Sequence, residues 1–173
     1  IAVMVVNAIN LAMITVVGQC IGAGEIEQAK QYTKKLMKIS YMATAALGIS
    51  ICLSLPLILH FYKLSGEAYR YSCILIVMHN ILAILLHPTS FNLANSLRAA
   101  GDVRFTMIVG IGAMILFRLG SGMLFGVILH LGVIGVWMAM GMDWLARSVA
   151  FTLRYKSEKW KTIKIITEKE TLS

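Results

Sequence analysis

The chain alternates long apolar runs with short polar interruptions, and the interruptions define its layout. Apolar stretches cover about residues 1–21, 39–62, 71–97, 105–127 and 133–153. Each approaches or exceeds the roughly 20 residues an α-helix needs to cross a bilayer. The first interruption, Gly-Gln-Cys-Ile-Gly-Ala-Gly-Glu-Ile-Glu-Gln-Ala at 18–29, organises the rest. Gly22 and Gly24 can take the left-handed backbone that ends a helix. Glu25 and Glu27 suit the first turn of the next one, where the helix dipole favours negative charge. The pattern therefore predicts a span ending near 21, a short charged surface helix over 24–38, and a second span from Ile39 to Tyr62.

The later interruptions are a polar loop at 63–70, a basic turn at 98–104 and a hairpin at 128–132. Asp102 is a candidate N-cap for span four. Pro88 lies inside span three, lacks a donor N–H and crowds the Ile84 carbonyl, so a kink is expected there and Pro88 is the candidate hinge. Gly122 and Gly126 form a GxxxG step suited to close helix packing. The expected fold is all-α, a polytopic bundle over 1–153 with a basic tail over 154–173, where Trp160 can anchor at the interface.

Composition agrees. Charged residues are 14% of the chain and mean hydropathy is +0.78, against about 25% charged residues in soluble domains. The net charge of +8 lies in loops and tail without a basic face or aromatic platform, which argues for topology and against nucleic acid. Thirteen Lys and Arg fall on the side of the connector, the 98–104 turn and the tail, and only Lys63 and Arg70 on the other. The positive-inside rule then places the C-terminus in the cytoplasm. Cys20, Cys52 and Cys73 have no CxxC spacing, so neither a zinc site nor a disulfide framework is indicated. The chain opens on Ile1 inside an apolar run, which is expected of a fragment cut within its first helix.

Polar residues inside the spans are the candidate chemistry. Asn7 and Asn10 share a face of span one, with Gln19 further along, either bonding to neighbouring helices or lining a cavity. Span three carries His79, Asn80, His87 and Asn92. A broken, polar helix at membrane depth points to a transporter's site or hinge. The histidines are either hydrogen-bonding packers or proton carriers. Arg118 and Asp143 are central charges in spans four and five, equidistant from the hairpin, so they can neutralise each other at one depth. Asp143 can instead pair with Arg147, four residues on. The eleven methionines suit packing or an adaptable apolar cavity. No nucleophile–base pair, phosphate loop or metal spacing appears, and the chain is not expected to be an enzyme.

Several segments together resemble one family. Gly18-Gln19-x-x-Gly22-Ala23-Gly24 with Ala29, then Asn95-Ser96-Leu97-Arg98-Ala99-Ala100-Gly101-Asp102, Arg118, Leu131-Gly132-Val133-Ile134-Gly135-Val136-Trp137 and Lys159-Trp160-Lys161 are similar, in order and spacing, to helices eight to twelve of multidrug and toxic compound extrusion (MATE) transporters. The resemblance implies five of the six helices of one lobe of a twelve-helix protein. Its partners would be the bilayer, small organic cations or drugs, and the N-terminal lobe. It also implies a plasma (cell inner) membrane location and export of drugs in exchange for sodium ions or protons, with no other cofactor. Some members place acidic cation ligands in helices seven and ten; span three has no Asp or Glu, so the coupling ion stays open. A flippase for lipid-linked oligosaccharides shares the general fold but is expected to hold more cationic cavity residues, where only Arg118 lies buried. A non-transporting membrane scaffold is the third reading, disfavoured by the polar faces of spans one and three.

Overall fold

The computed structural model describes residues 2–64 and 66–162, so residues 163–173 of the basic tail lie outside the described residues. Among the described residues every regular element is helical. Helix α1 is Ala2–Gly22, α2 is Ile26–Phe61 and α3 is Gly66–His87. Through a π-helical turn at Pro88–Asn92, α3 continues into α4, Leu93–Ala99. Next come α5, Val103–Ala113, a π-helical Met114–Gly120, α6, Ser121–Met123, and a second wide stretch, Leu124–Ile128. After the hairpin, α7 is Gly132–Lys156, and a 3-10 turn, Lys159–Thr162, ends the described chain.

The runs Met4–Gly22, Ile26–Phe61, Gly66–Ala99 and Val103–Ile128 are long and apolar enough to cross a membrane. Helix α7 is long as well, but Asp143, Arg147, Arg154 and Lys156 lower its apolarity. Leucine, isoleucine, valine and methionine side chains face outward along all of these helices, among them Leu53, Leu57, Ile108 and Leu116. Outward apolar and inward polar residues make a protein whose solvent is hydrocarbon.

Two expectations are corrected, for the connector and for Trp160, and that for Asp102 holds in position only. The charged connector is not a separate helix: residues from Ile26 to Phe61 form one helix of 36 residues. At 1.5 Å per residue it is about 54 Å long, well beyond a bilayer core of roughly 30 Å, so its charged first turns project from the membrane without a break. Asp102 occupies the N-cap position of α5 but its side chain makes no capping bond. Instead it accepts hydrogen bonds from Arg154 Nε at 2.6 Å and Nη2 at 3.3 Å. Trp160 is not an interfacial anchor: it is 3% exposed and packs with Leu93, Ala94, Leu97, Ala100 and Phe151.

The turns that end α1 and α4 are built alike. Gly24 (φ +79°) and Gly101 (φ +88°) take left-handed backbone. Gly24 N–H reaches Ile21 O and Glu25 N–H reaches Cys20 O; Gly101 N–H reaches Arg98 O and Asp102 N–H reaches Leu97 O. These paired bonds are the Schellman arrangement, which satisfies the last carbonyls of each helix. Lys30 pairs with Glu158 of the tail, and Lys161 lies 3.5 Å from Glu27 and 3.0 Å from Glu158. The tail therefore joins both turns at one end of the bundle.

At Pro88 the break appears as a widened turn rather than a bare kink. Leu93 N–H bonds back to Pro88 O, five residues earlier, the ring size of a π-turn. At the hairpin, the closest helix approach is made by Gly135: a Cβ there would stand 2.6 Å from the Phe125 carbonyl. Gly126 of the GxxxG pair is also tight: a Cβ there would stand 3.0 Å from Val136 Cγ2.

Candidate functional site

A cavity of about 500 Å³ opens among α1, α2, α3 and α7. It lies in the half of the bundle away from the basic end. Counting back from Lys156 at 1.5 Å per residue, Trp144 and Trp137 are roughly 18 and 28 Å inward. The stripe Ile76, His79, Asn80, Ala83 and His87 of α3 forms one wall, because residues three and four apart share a helix face. Leu47, Gly48, Ile51 and Leu55 of α2 form the opposite wall.

Aromatic rings meet edge to face on the α7 side. His79 lies 5.3 Å from Trp137 and 5.6 Å from Trp144, centroid to centroid. His87 stacks on Phe91 at 4.6 Å and meets Trp144 at 5.8 Å. Trp144 is held in turn by its backbone, whose carbonyl accepts a 2.6 Å bond from Ser90 Oγ. Asn80 donates to Ile76 O at 2.8 Å. A Cβ on Gly48 would sit 3.3 Å from Asn80 Oδ1, so glycine there keeps the asparagine wall open.

Three buried polar atoms around this cavity, Thr44 Oγ1, His79 Nδ1 and His87 Nδ1, have no hydrogen-bond partner. Buried polar groups in folded proteins are nearly always satisfied, so three orphans on one cavity mark it as the place where a ligand or water supplies the missing bonds. No Lys, Arg, Asp or Glu lines it.

The structure separates the candidate polar residues into three sets. Asn7, His79, Asn80 and His87 line the cavity. Asn10 and Asn92 do structural work instead. Asn10 Oδ1 accepts from Asn95 Nδ2 at 3.0 Å, and Asn92, fully buried, donates to Ser40 Oγ. Gln19 is exposed on α1 and is not among the cavity's lining residues. Arg118 and Asp143 form the third set with Arg147. Asp143 is 0% exposed and accepts from Arg147 Nε at 2.7 Å, while its Oδ2 stands 3.9 Å from Arg118 Nε. Both pairing schemes therefore hold at once. Arg118 is not enclosed, however: its side chain is 43% exposed. Among the described residues no group of three His, Cys, Asp or Glu is placed to hold a metal ion.

Sequence reasoning missed Trp137, Trp144 and Thr44. The tryptophans are seven apart on α7, and that i, i+7 spacing places them on one helix face, which was a readable signal. Thr44 gave none, because a lone threonine in an apolar helix commonly bonds its own backbone.

A polytopic helical membrane protein with an internal, charge-free cavity between its spans has the architecture of a transporter lobe. The family comparison agrees: the MatE model matches residues 1–124, and the chain belongs to the MatE family, whose members are transporters. It is 27% identical over 157 residues to the "Uncharacterized transporter YisQ" of Bacillus subtilis (strain 168), covering 89% of this chain and 34% of that protein. The chain thus spans about a third of the length of this curated relative. No solved structure matches it.

Proposed function

We propose that this lobe belongs to a secondary active exporter of organic cations or drugs, working by alternating access in exchange for sodium ions or protons. The observation that carries the reading is the cavity lined by Trp137 and Trp144, with three orphaned polar atoms and no charged side chain. Aromatic faces attract a desolvated cation through their negative quadrupole. A mostly apolar pocket with a few convergent polar groups is the usual form of a small-molecule site. The same lining disfavours a flippase for lipid-linked oligosaccharides, whose anionic cargo would call for arginines or lysines in the cavity.

In this reading Asn7, Asn80 and the two histidines orient the substrate, and the widened turn after Pro88 is the flexing point of α3 and α4. Differential binding of substrate and ion to inward- and outward-facing states drives the exchange. The protein sits in the plasma (cell inner) membrane with the basic end in the cytoplasm, and the N-terminal lobe completes the central cavity.

The test is efflux of a fluorescent organic cation in inverted vesicles carrying the full-length protein, under an imposed sodium or proton gradient. Collapse of one gradient should stop transport and name the ion. Trp137→Leu should lower cation uptake about thirtyfold, in keeping with a desolvated cation–π contact of roughly 2 kcal/mol lost with the ring. Absence of movement under either gradient, with the protein inserted and folded, would sink the proposal.

A further inference from the structure

A second concave surface also borders α7. It is a groove of about 400 Å³ between α4, α5 and α7, lined by Arg98, Thr106, Gly110, Met114 and Arg147 among others. Its charge is lopsided. Arg98 Nη1 donates to Asn95 Oδ1 at 3.1 Å and its Nε to Thr106 Oγ1 at 3.4 Å, both neutral acceptors. Arg147 shares the one carboxylate, Asp143, with Arg118. The groove thus holds Arg98, bonded to neutral acceptors, and Arg147, whose carboxylate is shared with Arg118.

The groove has the polarity of a lipid. Arg98 stands beside the Gly101 turn, at the basic end. Arg147 lies nine residues inward of Lys156, about 14 Å along α7. The apolar part of the lining, Met107, Ile111 and Met114, is exposed. A cationic head region running into an apolar wall at the membrane boundary complements an anionic headgroup with attached acyl chains. Arginine forks match phosphate oxygens, and Arg98 is committed only to neutral partners.

We propose that this groove binds the phosphate of an anionic phospholipid between Arg98 and Arg147, with an acyl chain along Met107, Ile111 and Met114. The site is distinct from the substrate cavity, which lies among α1, α2, α3 and α7. It makes the bilayer's anionic lipid a resident ligand of this lobe.

The experiment is native mass spectrometry of the intact, full-length protein in detergent, titrated with phosphatidylglycerol and with phosphatidylcholine of the same chains. Phosphatidylglycerol should be retained preferentially. Arg98→Gln should weaken it about fivefold, the factor expected for one basic residue acting on an anionic headgroup, and leave phosphatidylcholine unchanged. Gly110→Leu is the second variant: a Cβ there meets nothing within 4 Å, so a side chain starting in open space narrows the groove, keeps every charge and should also lower phosphatidylglycerol retention. Thermal unfolding of each variant checks that the fold is kept. Equal retention of the two lipids by the parent protein, or phosphatidylglycerol binding untouched by both variants, overturns the proposal. Displacement of the lipid by inorganic phosphate at equal concentration overturns the lipid assignment.

Discussion

Asp143 Oδ2 stands 3.9 Å from Arg118 Nε, across the interface between α7 and the π-helical stretch of its hairpin partner, while Oδ1 holds Arg147 at 2.7 Å. The two arginines are unequal. Arg147 is 16% exposed and Arg118 is 43% exposed. The close, hydrogen-bonded pair dominates, and the outer arginine, beyond hydrogen-bond distance, adds a weaker attraction.

Neutralising the shared acid should therefore be severe. Asp143→Asn leaves two guanidinium groups without a counter-charge at membrane depth and is expected to cost about 3 kcal/mol or more, the range for breaking one side of a buried pair. Arg147→Gln should come close to it, whereas Arg118→Gln, which removes the longer 3.9 Å contact, should cost less than either. Thermal unfolding in detergent checks the order; an Arg118 variant as damaged as the Asp143 variant would contradict it.

At the hairpin, Gly135 and Phe125 leave no room for a methyl group. Gly135→Ala would place a Cβ 2.6 Å from a backbone carbonyl, which cannot swing away as a side chain does. Overpacking of this kind typically costs about 1–3 kcal/mol. Gly112→Ala, with nothing within 4 Å, should leave stability unchanged or raised, because alanine is the better helix former. Paired melting curves of the two variants make the comparison.

The docked tail should respond to acid. The hydrogen bond from Lys30 holds the Glu158 carboxyl below its ordinary value of 4.5, and Lys161 adds to the effect. A depressed carboxyl contributes stability that is fully present above 4.5 and is lost as pH falls through the lower folded value. The tail should stay docked through neutral pH and loosen only below that range. Hydrogen exchange of residues 154–162 against pH reads this out, and Glu158→Gln should remove the acid dependence.

The spans were legible because hydrocarbon demands long apolar runs with satisfied backbones, and Arg118 and Asp143 could be paired by their equal distances from the 128–132 turn. The cavity was only half legible. His79, Asn80 and His87 stood out as polar residues in an apolar run, but neither of the tryptophans facing them was singled out as a cavity residue. Asn10 and Asn92 looked like cavity residues because a sequence does not say which neighbour absorbs a polar side chain; here Asn95 and Ser40 do. The continuity of α2 was hidden for a related reason. Lys30, Lys34, Lys35 and Lys38 mark where the membrane ends, and a helix passes that boundary without any change in its own geometry.

The matched glycine turns at Gly24 and Gly101 and the tail segment that clasps both have a mechanical consequence. Arg154 grips Asp102, the side chains of Lys30 and Lys161 meet Glu158, and Trp160 wedges among Leu93, Leu97 and Phe151. The basic end of the lobe is thereby riveted into a single plate. Splaying of the helices meets the least resistance at the far end, where the cavity lies between α1, α2, α3 and α7.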